Sequence, residues 1–207
     1  MMHTDGTNVK PGNRKAAQGA ATRAALLEAG LELFGTQGFA ETSAEDLAAK
    51  AAVTKGALYH HFKGKDDLFR AVYEQVKRDI TDTVAPSFLE PDPWTALVHG
   101  CLRTVDCHLD PAVQRILLVD GPSVLGPETV RDVELRYGAI VLRGALRKAM
   151  NHGVIERQPL ATLARLLNGA ITEGCTVVAS ADDPASARAE VDAVITRLLE
   201  GLRPLSH

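Results

Sequence analysis

With 207 residues, 45% hydrophobic and 4% aromatic, the chain is long enough for one large or two small domains cored mostly by leucine, valine and alanine. No run approaches the ~18 consecutive apolar residues of a membrane span, and the opening MMHTDGTNVKPGNRK lacks the apolar segment of a signal peptide. Three cysteines (Cys101, Cys107 and Cys175) without a CxxC spacing argue against a disulfide framework or a structural zinc site, so a cytoplasmic protein without metal or cofactor is expected.

Residues 1–18 offer little to bury and are expected as a disordered arm. A first helix is expected from about Ala20, with Leu27, Leu31 and Phe34 as its apolar face and Gly38 as its stop. TSAEDLAAKA opens a short second helix, capped by Thr42 with Glu45 or by Ser43 with Asp46, and turns Leu47, Ala48 and Ala51 inward. Thr54 is a good N-cap for a third helix, which Gly64 ends. Asp66 and Asp67 suit the start of a fourth, running to about Val84 and closed by Pro86. Beyond a Pro91–Pro93 linker, further helices are expected over about 94–109, from Pro111, over 128–152 after a break at DGPSVLGP, over 160–181 and over 185–202. No strand-length alternation bounded by turns and no internal repeat is present, so the fold class is all-α.

The net charge of −3 is unevenly divided. Residues 1–78 hold 11 Lys/Arg against 9 Asp/Glu, residues 79–207 hold 12 against 17, and every lysine except Lys148 lies in the first part. The stretch TKGALYHHFKGKDDLF concentrates this basic character. On a helical wheel Leu58 and Phe62 pair at i,i+4 as the buried side, while Gly56 and His60, flanked by Ala57 and Tyr59, form the opposite side. A helix that is small at its N-terminal end can sit deep in a groove, and lysine, tyrosine and histidine suit phosphates and base edges. The few residues AAVTK join it to the preceding helix, the length of a helix-turn-helix connection.

The run from about Ala21 to Val72, most specifically VTKGALYHHFKGKDDLF, resembles the DNA-binding domain of the tetracycline-repressor (TetR) family of bacterial transcriptional regulators. The resemblance implies a helix-turn-helix domain over 19–64 and a helical effector-binding and dimerisation domain over 65–207. It implies that Thr54 caps the recognition helix, that Lys55, Gly56 and His60 face the groove beside Ala57, and that Tyr59 and Lys65 contact phosphate. Lys63 joins them, and Thr42 and Ser43 anchor the first helix of the motif to the DNA backbone. Ala52 departs from the pattern, because the family places glycine in this turn; alanine costs ~1 kcal/mol if a positive φ is kept. His60 and His61 diverge by ~100° on a helix and cannot easily share a metal ion, so His61 is read as a packing or hydrogen-bonding residue. Arg14, Lys15 and Arg23 are either a solubilising tail or a basic arm that touches DNA.

The same resemblance implies that the C-terminal helices form a pocket and a homodimer interface. The last two helices carry wide apolar faces, Leu163, Leu166, Leu167, Ala170 and Val177 on one and Val191, Val194, Leu198 and Leu202 on the other. Two such helices from each of two chains would build a two-fold four-helix interface and so read a palindromic operator. Polar residues among apolar ones are the pocket candidates for a small apolar or amphipathic effector: Trp94, Cys101, Cys107, His108, Tyr137, Asn168, Glu173 and Thr176. Glu173 is expected to need a partner for a buried carboxylate. The function expected is a repressor released from DNA by its effector. Alternatives are a thiol- or metal-responsive regulator built on Cys101, Cys107 and His108, and an all-α enzyme, although no HExxH, GxSxG, P-loop or dinucleotide fingerprint is present.

Overall fold

A computed structural model describes residues 11–204, with side chains from residue 16 onward. Among the described residues the chain is helical throughout, without a strand, and it divides into two compact units, the first ending at Val72 and the second beginning at Tyr73.

The first unit holds α1 (Pro11–Thr36), α2 (Ala44–Lys50), α3 (Lys55–His61) and the opening turns of α4 (Lys65–Phe88). Residues 11–18, expected in a disordered arm, are helical; residues 1–10 and the side chains of Arg14 and Lys15 lie outside the described residues. Proline presets φ at the first helical position, and Ala16, Ala17, Ala20 and Ala21 propagate helix without needing burial. The apolar face of α1 is rotated from the expected one. Leu26, Ala29 and Phe34 are buried, whereas Leu31 is 38% exposed, because the inward stripe runs 26, 29, 30, 34. Gly38 closes α1 as expected, at φ 89° with its amide donating to the Phe34 carbonyl (3.1 Å).

Of the two possible caps for α2, the structure selects Ser43 with Asp46. The Ser43 hydroxyl accepts from the Asp46 amide (3.1 Å), and the Asp46 carboxylate accepts from the Ser43 amide (3.1 Å). Thr54 caps α3 by accepting from the Ala57 amide (3.1 Å). α3 ends earlier than expected: Phe62 turns extended (φ −136°) to drop its ring into the core, so Gly64 is not the stop. Leu47, Leu58, Leu68 and Phe69 complete that core, and the Phe34, Phe39 and Phe69 rings meet at centroid distances of 5.1–5.9 Å, two of the contacts edge-on.

α4 continues past Pro86 to Phe88. A proline in the last turn forfeits one hydrogen bond but leaves no following helix to break. The second unit continues with α5 (Pro93–Asp106), α6 (Pro111–Gln114), a π-helical segment (Arg115–Asp120), α7 (Gly121–Arg136), α8 (Gly138–Asn151), α9 (Leu160–Ser180) and α10 (Pro184–Glu200). Asp92, Asp110 and Asp183 cap α5, α6 and α10, each just before a proline at the first helical turn. The break expected over Asp120 to Pro127 falls at Gly126, where the backbone leaves helical geometry (φ 76°, ψ 162°), and not at Gly121. A Cβ on Gly121 would lie 2.5 Å from the Tyr73 ring, so this glycine serves the close approach of α7 to α4. The single helix expected over 128–152 is two, parted at Tyr137 (φ −111°, ψ −77°). α5, α8, α9 and α10 enclose the core, which includes Leu97, Cys101, Leu142, Leu146, Ile171, Val191, Ile195 and Leu199.

Candidate nucleic-acid interface

α3 buries Leu58 completely and holds Phe62, just beyond its end, at 3% exposure, which turns the opposite side outward. Lys55, Gly56, Tyr59 and His60 are exposed on that side and Ala57 is half-buried. A Cβ on Gly56 would meet nothing nearer than Thr54 Oγ1 at 3.8 Å. Packing within the protein therefore does not demand glycine there; the outward approach of another body would. Lys55 is ion-paired with Glu45 of α2, and its ammonium lies 6.0 Å from the centre of the Tyr59 ring. The hydrogen bond from Lys55 holds the Glu45 carboxyl below its ordinary range and, reciprocally, raises Lys55. The His60 and His61 rings meet edge-on at 5.3 Å, and Arg23 lies 5.2 Å over the Phe62 ring.

Three of the residues assigned to this face are already engaged within the protein. Thr42 is 1% exposed, its hydroxyl donating to the Gly38 carbonyl (2.7 Å) and accepting from Gln37 (3.3 Å), so it does not present a hydroxyl for a backbone anchor. The Ser43 hydroxyl is occupied by the capping box and donates to Asp46 (2.6 Å). Lys65 donates to the Phe39 carbonyl (2.8 Å) and sits 4.1 Å over the Phe39 ring, a structural lysine at the start of α4. Lys63 is exposed.

The turn between α2 and α3 places Ala52 at φ 53°, its amide donating to the Ala49 carbonyl (3.1 Å). The left-handed conformation costs a side chain roughly 1–2 kcal/mol. Ala52→Gly is therefore expected to stabilise the protein by about 1 kcal/mol despite the added freedom of the unfolded chain, a rise of roughly 2–4 °C in Tm by calorimetry.

The second unit contains a buried polar cluster in which the sequence candidates His108 and Asn168 meet two residues that sequence reasoning missed, Lys77 and Glu134. Lys77 of α4, 6% exposed, is ion-paired with Glu134 of α7, and Asn168 of α9 donates to the same carboxylate (3.2 Å). Burial by itself would raise the Glu134 carboxyl, but Lys77 and Asn168 outweigh it and the net shift is downward. His108 is 4% exposed, its Nδ1 2.7 Å from the Thr104 carbonyl, and burial reinforced by Lys77 lowers its pKa to about 4. The signal was available: Lys77 stands four residues beyond buried Tyr73, on the inward stripe of α4. From the surface a cleft of about 280 Å³ between α7, α8 and α9 reaches Glu134 and Asn168, with Arg131, Arg165 and Glu173 among its walls.

The other pocket candidates are scattered. Cys101 is fully buried in the core, and burial pushes its thiol and that of Cys175 up to about 12 and raises Cys107 as well. Thiols kept protonated in this way are poor oxidant sensors. Trp94 stacks under Arg203 (4.7 Å) beside a separate cleft with Asp92 and Val154. Tyr137 accepts from Arg78 (3.3 Å). Glu173 is exposed rather than buried, because it lies on the side of α9 opposite buried Ile171, Cys175 and Val178, and Thr176 is exposed with its hydroxyl turned back to the Thr172 carbonyl (3.2 Å).

Both parts of the chain match family models: residues 26–72 that of bacterial regulatory proteins of the tetR family, and residues 94–202 that of a tetracyclin repressor-like C-terminal domain. The chain is 31% identical over 138 residues to the HTH-type transcriptional regulator SrpR of Pseudomonas putida, a match that spans 64% of this chain and 65% of SrpR. It is also 31% identical over 108 residues to the regulator TtgW of a P. putida strain, covering 52% of this chain and 81% of TtgW. A crystal structure of a TetR-family transcriptional regulator from Pectobacterium atrosepticum superimposes with a TM-score of 0.79 at 31% identity, covering 92% of this chain and 98% of that one. No helix among the described residues is long and apolar enough to cross a membrane. The helix-turn-helix unit, the helical unit that follows it and these relatives agree: the chain belongs to the TetR family of DNA-binding bacterial transcriptional regulators.

Proposed function

We propose that the protein is a homodimeric repressor that binds a palindromic operator in the cytoplasm and leaves it when a small amphipathic effector binds, without catalysing a reaction. The observation that carries the reading is the outer face of α3, where Lys55, Gly56, Tyr59 and His60 are exposed opposite a fully buried Leu58. In this reading Lys55, Gly56 and His60 enter the major groove with Ala57, Tyr59 and Lys63 touch phosphate, and Thr54 fixes the start of the helix. Thr42, Ser43 and Lys65 support that surface from behind.

Dimerisation runs through the outward faces of α9 and α10, where Leu166, Val177, Val194 and Leu198 are exposed. The effector enters the cleft between α7, α8 and α9 and competes for Glu134 and Asn168. Lys77, the partner of Glu134, stands on α4, whose first turn is in the DNA-binding unit. A ligand that binds better when that pair is rearranged shifts α4, and with it the spacing of the two recognition helices.

Selection of bound duplexes from a random pool tests the reading. The wild type is expected to enrich a palindrome and a Lys55→Ala/Tyr59→Ala variant is expected to enrich none. Equal enrichment by both proteins would remove α3 from the interface.

A further inference from the structure

We infer that Glu45 is a selectivity device, a positioning residue that holds Lys55 off the phosphates and thereby weakens binding to DNA of the wrong sequence; this rests on α3 being the recognition helix. Glu45 stands in the first turn of α2 and Lys55 is the first residue of α3, so the pair bridges the two helices of the motif. Both side chains are at least half exposed, Lys55 at 50% and Glu45 at 63%. Whatever approaches Lys55 therefore also approaches the Glu45 carboxylate. The first turn of α2 favours an acid at Glu45, but the capping box is made by Ser43 and Asp46, and the Glu45 carboxylate reaches Lys55 of the next helix.

The consequence follows from how the two kinds of complex are held. Binding to random DNA rests almost wholly on neutralised phosphates. A carboxylate on the docking face repels those phosphates, and it competes with them for the one ammonium it holds. In a matched complex the same pair costs less, because Lys55 is presented in one orientation to guanine O6 and N7 while the Glu45 carboxylate can accept from a cytosine amino group. Glu45 thus lowers affinity for every duplex but lowers it most where nothing in the sequence compensates.

Glu45→Gln keeps the shape and removes the charge. On a random-sequence duplex it is expected to bind about three- to tenfold tighter than wild type, with a salt dependence steeper by about one phosphate contact. On the operator selected by the wild type its affinity is expected to change less than twofold, so the selectivity ratio falls. Glu41→Gln, which removes an exposed acid elsewhere in the unit, controls for net charge and is expected to leave the ratio unchanged. In a Lys55→Met background the effect of Glu45→Gln on the ratio is expected to shrink to what direct repulsion between carboxylate and phosphates leaves.

Equal tightening on both duplexes, no tightening on either, or an effect that survives in full without Lys55 would each overturn the inference. A wild type that selects no duplex would remove the recognition-helix reading along with it. A selective wild type with an indifferent Glu45→Gln would remove only the role given to Glu45.

Discussion

Glu134→Leu is expected to lower the free energy of unfolding by about 3–5 kcal/mol, whereas Lys77→Met/Glu134→Leu is expected to fall within about 1–2 kcal/mol of wild type. The asymmetry comes from burial. Lys77 is 6% exposed and Glu134 is its ion-pair partner, so deleting the carboxylate leaves an ammonium in the interior with its charge uncompensated. Removing both charges also removes the desolvation that the pair had to overcome, and a methionine and a leucine fill similar volume. Asn168 loses its acceptor in the double variant, but it lines the cleft and water can replace the carboxylate. Urea unfolding of the four proteins of the cycle gives the coupling directly. A Glu134→Leu protein as stable as wild type would mean that Lys77 reaches solvent.

Acid should expose the same cluster. Glu134 has a folded pKa below its ordinary 4.5, so its contribution is present above 4.5 and is lost as pH falls through the folded value. His108 acts in the same direction for a different reason. Burial holds it neutral down to about 4, while the unfolded chain takes up its proton from 6.5 downward, so stability declines between those two values. At pH 5 the His108 share of that loss is on the order of 2 kcal/mol; in the double variant the part due to burial persists, while the reinforcement from Lys77 is gone.

Local features of the fold were legible because local chemistry decides them. The start of α2, narrowed to two capping boxes, the Thr54 cap, the Gly38 stop and the proline-opened helix α6 all depend on neighbours within four residues. The resemblance marked the turn at Ala52 by placing glycine there but left its conformation open, and the structure keeps the positive φ. What failed depends on distant partners. Gly121 reads as a breaker until the Tyr73 ring is known to lie against it. Lys65 has the composition of a phosphate contact and the surroundings of a structural residue, with the Phe39 carbonyl and ring holding its ammonium. The ion pair of Lys77 and Glu134 joins α4 to α7, and no periodicity within either helix names the other. The α3 face could be assigned because its inward residues, Leu58 and Phe62, are unambiguous and the opposite side follows from them. The cleft could not, because its walls come from three helices whose packing is set elsewhere.

Leu166→Glu combined with Val194→Glu is expected to give a folded monomer that binds the selected operator at least a hundredfold more weakly than wild type. Each of α9 and α10 has two apolar faces. One is spent inside the unit, where Leu167, Ile171 and Val178 meet Val191, Ile195 and Leu199. The other carries Leu166 at 68% and Val194 at 59% exposure, together with Val177 and Leu198, and nothing in the described chain covers it. Gly169 and Ala170 lie along the same side of α9, small enough for another helix to approach closely. Four carboxylates placed in a two-fold interface repel one another and lose solvation, so the dimer should dissociate while each protomer keeps its own core. Sedimentation reads the dissociation and far-ultraviolet circular dichroism checks that the helices remain. A monomeric protein that still bound the palindrome with wild-type affinity would show that one recognition helix suffices. A dimer that survived both substitutions would move the interface to another face. The expected result, a folded monomer with weak binding, ties operator affinity to the joining of two α3 helices, which a ligand acting through Lys77 and α4 could then oppose without touching either one.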